Sequence, residues 1–131
     1  MLDHIGLRAA DYAHSRRFYE AALQPLGLEL VMEVTAKQSG GSYEGAGFGR
    51  DGKPFFWLSA GGGAGASGPL HVAFAAADRA SVDAFYHAAL AAGGRSNGAP
   101  GVRTHYHPDY YAAFVFDPDG NNIEAVSHRP V

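Results

Sequence analysis

Two short apolar runs, residues 2–7 and 70–74, each lead into a stretch where apolar residues recur every three or four positions. Runs of this length, rich in large and β-branched residues, read as strands, and the wider spacing reads as an amphipathic helix. In the second stretch Val82, Phe85, Tyr86 and Ala89 form the stripe, Asp78 is placed to cap its start, and Gly93-Gly94 to end it. In the first, Phe18, Tyr19, Ala22, Leu23 and Leu26 form the equivalent stripe behind Asp11. Three extended segments broken by turn residues follow each helix: 28–35, 43–48 and 55–59, then 102–107, 111–116 and 121–127. Asp117-Pro118-Asp119-Gly120 is a strong turn signal, with Pro and Gly at the second and fourth positions. Each half therefore reads βαβββ.

The halves are copies. Residues 4–27 align without a gap on residues 71–94, with 11 identities in 24 positions at an offset of 67. His4 falls on His71, Asp11 on Asp78, Phe18-Tyr19 on Phe85-Tyr86 and Gly27 on Gly94. Similar composition in two Ala-rich helices would not place all of these in one register, so the chain is a duplication. At 131 residues it forms one domain, 1–131, with module one at 1–60, a Gly-rich linker at 59–69 and module two at 70–131. The linker contains a G-x-G-x-x-G pattern at 63–68, but a proline and a strand follow it. The helix that would receive a pyrophosphate is missing, so no dinucleotide site is expected.

Alternation across a strand puts His4 on one face with Gly6, while Ile5 and Leu7 take the other. His71 likewise shares a face with Ala73, opposite Val72 and Phe74, and Glu124 stands between the apolar Ile123 and Ala125. If the large apolar residues pack beneath the helices, His4, His71 and Glu124 all project from the helix-free side. A pseudo-twofold pairing of the modules would bring them to a common point as a divalent-metal site. The bland alternative for each one alone is a surface or hydrogen-bonded side chain, and the duplicated position of the two histidines is what favours ligands. The chain has no cysteine, so any ligands are imidazole and carboxylate, a set suited to Zn, Mn, Ni or Fe.

Charge and composition narrow the partners. A formal net charge of -3 provides no basic face for nucleic acid or an anionic membrane. No apolar stretch approaches a bilayer span, and a cytoplasmic location is the expectation.

The opening Asp3-His4-Ile5-Gly6-Leu7, the second start Leu70-His71-Val72-Ala73-Phe74 and the ending 116–124, Phe-Asp-Pro-Asp-Gly-Asn-Asn-Ile-Glu, resemble the vicinal oxygen chelate superfamily. This group includes glyoxalase I, bleomycin-resistance proteins, fosfomycin-resistance enzymes and extradiol dioxygenases. The resemblance implies a glyoxalase-like α+β fold, with two βαβββ modules forming a curved mixed sheet around a metal-binding cleft, and a homodimer. It also implies one divalent metal ion on His4, His71 and Glu124. Glyoxalase I takes a fourth, carboxylate ligand from the last strand of module one. Here the offset of 67 places Trp57 at that position, and alignment on the Asp51-Gly52 turn places Phe56.

The implied function is a metal-dependent lyase, dioxygenase or transferase acting on a small oxygenated molecule by bidentate chelation. The alternative is a metal-free, ligand-sequestering module of the bleomycin-resistance type. Within the polar cluster 103–111, His107 and Tyr111 are the candidate catalytic proton carriers, with Arg103 and Tyr106 as substrate contacts and Trp57 and Phe56 as apolar walls. The bland reading of that cluster is a surface loop feeding an edge strand.

Overall fold

The computed structural model describes residues 1–61 and 70–131. Most of the Gly-rich linker, including the G-x-G-x-x-G pattern at 63–68, lies outside the described residues. Module one contains β1 (Ile5–Ala9), α1 (Tyr12–Leu23), a 3-10 turn (Gln24–Leu26), β2 (Glu29–Val34), β3 (Gly45–Arg50) and β4 (Lys53–Ala60). Module two contains β5 (His71–Ala75), α2 (Arg79–Ala91), β6 (Arg95–Val102), β7 (Tyr111–Phe116) and β8 (Asn122–Ser127). Each module is a four-stranded mixed sheet, ordered β1-β4-β3-β2 and β5-β8-β7-β6. The two βαβββ modules of the expected glyoxalase-like α+β fold are thus present, with their strands divided equally between two mixed sheets.

The caps form as the sequence indicates. Asp11 accepts from the His14 amide at 3.1 Å and Asp78 from that of Ser81 at 2.8 Å, satisfying amides that the first helical turn leaves free. Phe18, Tyr19, Ala22 and Leu23 of α1 and Leu26 of the 3-10 turn are buried, as are Val82, Phe85 and Ala89 of α2.

One strand lies elsewhere. The segment 102–107 is not the first strand after α2. That strand is β6, and 103–110 is a loop of turns. β6 is polar and Gly-rich with Pro100 inside it, a sequence without the apolar alternation that marks a strand. It is tolerated because β6 is a sheet edge with register irregularities between Ser96 and Gly101.

The helix-bearing faces share one core. Phe18, Tyr19, Phe56 and Phe74 form a row of aromatic contacts, with centroids 5.0, 4.9 and 5.2 Å apart along it, running from α1 through β4 to β5. Gly94 is required where α2 ends, since a Cβ there would stand 2.7 Å from the Phe18 ring and 2.6 Å from Val115. The tightest tie is polar. Asp117, 3 % exposed, accepts from the amides of Asp119 and Asn121 and from the Asn121 side chain, and it also accepts the hydroxyl of Tyr19 on α1. Asp119 reaches the same helix, accepting from the amide of Ala10 at 3.1 Å and the hydroxyl of Ser15 at 3.4 Å.

Burial first, then the charge of Asp117, raises the Tyr19 phenol well above the ordinary tyrosine value of about 10. The folded chain therefore holds that proton more tightly than the unfolded chain, so its contribution to stability is complete below pH 10 and falls as pH rises above it. Tyr19→Phe is expected to lower stability by about 1–3 kcal/mol at neutral pH in urea unfolding, by removing a hydrogen bond to a buried carboxylate and leaving Asn121 as the remaining donor to Asp117 Oδ2. Above pH 10 its stability should fall less steeply than that of the wild type.

Candidate metal centre

β5 and β8 run parallel, with His71 opposite Asn122 and Ala73 opposite Glu124. Ile123 and Ala125 enter the core as alternation requires, and Glu124 takes the helix-free face. Its carboxylate is 1 % exposed, and both oxygens are engaged: Nε2 of His71 lies 2.9 Å from Oε1, and the Tyr110 hydroxyl donates to Oε2. Two ligands at about 2.1 Å from one ion, 90–110° apart, stand about 3.0–3.4 Å from each other. The His71–Glu124 pair is therefore close to the spacing of two adjacent ligands, and the direct hydrogen bond holds it there.

His4 immediately precedes β1, on the other sheet. Its Nδ1 pairs with Asp3 Oδ1 at 2.8 Å, and Asp3 receives Lys53 Nζ at 2.9 Å on both oxygens. The hydrogen bond to His4, then that to Lys53, keeps the Asp3 carboxyl below its usual range. A carboxylate on Nδ1 leaves Nε2 as the free donor atom, the orientation that metal-ligating histidines take. His4 opens onto a concavity of about 510 Å³ lined by Gly6, Val34, Tyr43, Trp57 and Ser59.

A single chain brings two of the three expected ligands together. Among the described residues, no three His, Cys, Asp or Glu side chains are grouped closely enough to hold a metal ion. The cause is the way the modules meet, through the Asp117 turn against α1 and one shared core, with no strand of one sheet paired to a strand of the other.

The fourth-ligand register is resolved. Trp57 pairs with Gly6 as Glu124 pairs with Ala73, so the offset of 67 holds and an indole stands where module two carries its carboxylate. Gly47 makes room for it, since a Cβ there would lie 2.9 Å from the indole ring. Phe56 is not a wall of that face. It is fully buried and belongs to the aromatic core, reaching only the floor of a groove between β1, β4 and β5. Tyr111 also requires correction. It shares parity with the core residues Ala113 and Val115, and its hydroxyl donates to Asp83 of α2 at 2.6 Å, on the opposite side of the sheet from Glu124.

The remaining cluster residues gather around Tyr110. Arg103 donates to the carbonyls of Gly101 and Ala99 at 2.7 and 2.8 Å, and its guanidinium lies over Phe114. Tyr106 is exposed and packs on Tyr110, and His107 accepts from the Asp109 amide through Nδ1, with its ring 5.9 Å from His128. Tyr110 itself is not singled out by the sequence reading. The signal is available in strand parity, because Phe114 lies opposite Glu124 and positions 110, 112 and 114 share its face. Burial, then the hydrogen bond to Glu124, pushes the Tyr110 phenol up to about 12, so it remains a donor at neutral pH.

A model of the Glyoxalase/Bleomycin resistance protein/Dioxygenase superfamily matches residues 1–125. The chain belongs to this superfamily. A search of curated proteins returns no match. Among solved structures, the superfamily fold is shared with a glyoxalase/bleomycin resistance protein from Albidiferax ferrireducens T118, at 28 % identity over 97 % of each chain and a TM-score of 0.68. A point mutant of glyoxalase I from Zea mays matches at 24 % identity and a TM-score of 0.69, over 95 % of this chain and 45 % of that one. A point mutant of the fosfomycin resistance protein FosX from Listeria monocytogenes, complexed with Mn(II) and 1S,2S-dihydroxypropylphosphonic acid, matches at 17 % identity and a TM-score of 0.67. That alignment covers 96 % of this chain and 88 % of that one. Among the described residues, no helix is long and apolar enough to cross a membrane.

The different settings of neighbouring rings give a direct check. Phe56→Ala should cost about 3–5 kcal/mol in chemical unfolding, as for a large side chain removed from a closed core. Trp57→Ala, on the open face, should cost clearly less.

Proposed function

We propose that this chain is a divalent-metal-dependent enzyme acting on a small molecule with two neighbouring oxygens. In this reading His71 and Glu124 hold the ion together with His4, and the three-ligand set is completed in a homodimer by His4 of a second copy. The observation that carries it is the engaged His71–Glu124 pair: a carboxylate 1 % exposed, 2.9 Å from an imidazole nitrogen, on a face otherwise free of helices. A buried carboxylate is costly unless it is paired or ligates a cation. Superfamily membership and the Asp3-oriented imidazole of His4 support the same reading.

A bound divalent ion of the Zn, Mn, Ni or Fe class would supply Lewis-acid polarisation of the substrate oxygens. The chain's own groups do the rest. Glu124, fixed by Tyr110, keeps one oxygen directed beside His71. Trp57, with Val34 and Tyr43, presents an apolar wall in the concavity next to His4, where it excludes water and contacts the carbon skeleton of the substrate. Tyr106 and His107 stand at the rim of the second sheet's open face. The identity of the ion bears on the lyase, dioxygenase or transferase outcome as much as the substrate does, since dioxygenation requires a redox-active metal and zinc is not one.

The ligand set is tested by calorimetric titration of chelator-treated protein with Mn²⁺, Ni²⁺ and Zn²⁺. Tight binding is expected, with His71→Ala and Glu124→Gln each weakening it by about 100-fold or more. No tight binding, or full affinity without Glu124, would overturn the proposal, and capture of an aromatic ligand unaffected by EDTA would favour the sequestering module instead. Mixing reports the source of His4. Unfolding and refolding His4→Ala and His71→Ala together should restore about a quarter of the tight sites, because half the dimers are mixed and each carries one intact site. A site contained within one chain would give none.

A further inference from the structure

Resting on that reading, we propose that Tyr110 is the positioning residue of the centre: its hydroxyl holds Oε2 of Glu124, so that Oε1 alone is presented beside Nε2 of His71. The two oxygens of Glu124 have separate partners, one an imidazole on β5 and the other a phenol from the loop before β7. A free carboxylate can swing about its terminal torsion and offer one oxygen or both. With Oε2 held by a donor, Glu124 would offer an ion one oxygen, Oε1, in one orientation.

Tyr110 is itself held on several sides. Its ring packs against Tyr106 at 5.0 Å and edge-on against His128 at 5.2 Å and 88°. Its carbonyl accepts from the Arg103 amide at 2.7 Å, and its amide donates to the His107 carbonyl at 3.1 Å. The Arg103 side chain ties the same loop to the carbonyls of Ala99 and Gly101 at the end of β6. The loop that replaces the expected strand therefore serves as a rigid mount for one hydroxyl. Module one carries a tyrosine at the matched position, Tyr43, but Trp57 occupies the place of Glu124 there and leaves no carboxylate for it to hold.

The test uses the intact homodimer and Mn²⁺ as probe, with affinity from calorimetry and the ion's coordination from electron paramagnetic resonance. Tyr110→Phe should weaken Mn²⁺ binding about 10- to 100-fold, the usual effect of removing a group that orients a ligand, and should change the spectrum of the bound ion. Replacing Tyr110 with p-aminophenylalanine, which keeps a donor at the same place, should restore most of the affinity. Tyr111→Phe, whose hydroxyl bonds Asp83 on the opposite face, should lower the melting temperature without changing affinity. Wild-type affinity and spectrum in a folded Tyr110→Phe protein would overturn the role of Tyr110 while leaving the metal site standing. Absence of Mn²⁺, Ni²⁺ and Zn²⁺ binding alike in the wild type would remove both.

Discussion

Asp117 uses both carboxylate oxygens to close the turn before β8 and to accept the hydroxyl of Tyr19 on α1. A buried carboxylate demands such partners, because each unmet acceptor costs about as much as a typical core contact provides. Here the partners come from the turn itself and from the other module's helix. The modules are consequently locked together on the side that carries the helices. The helix-free face of each sheet keeps its own polar groups, His4 on one and His71 with Glu124 on the other.

The open faces are not equivalent, although the modules are copies. At matched register one carries an indole laid over Gly47, and the other a carboxylate held between an imidazole and a phenol. One module thus supplies apolar surface and the other supplies charge. Duplication produced two scaffolds with the same strand geometry, and divergence at this pair of positions gave them different chemistry.

Much of this is legible in the chain. The two helices, their Asp11 and Asp78 caps, and the burial of Phe18, Tyr19, Val82 and Phe85 follow from local spacing, because a helix face and its first turn are set by residues three and four apart. The alternation that puts Ile123 and Ala125 in the core and leaves Glu124 outside is equally local. β6 is not legible, because an edge strand with a proline and register shifts carries no apolar period. Tyr110 and Tyr111 exchange roles between sequence and structure for a related reason. Both are aromatic and adjacent, and only the pairing of Phe114 with Glu124 shows which parity faces the site.

The sequence by itself determined the duplication, the element order and which side of each strand bears its polar residue, since these depend on periodicity and on neighbours close along the chain. Only the tertiary structure decided which distant groups meet. It paired His71 with Glu124, assigned Tyr110 to the same carboxylate, sent Phe56 into the core, and kept His4 out of the cluster within one chain. Those outcomes depend on strand register and on how two sheets dock through a shared core. Both are set by the summed packing of side chains from far-separated segments, which no local pattern records.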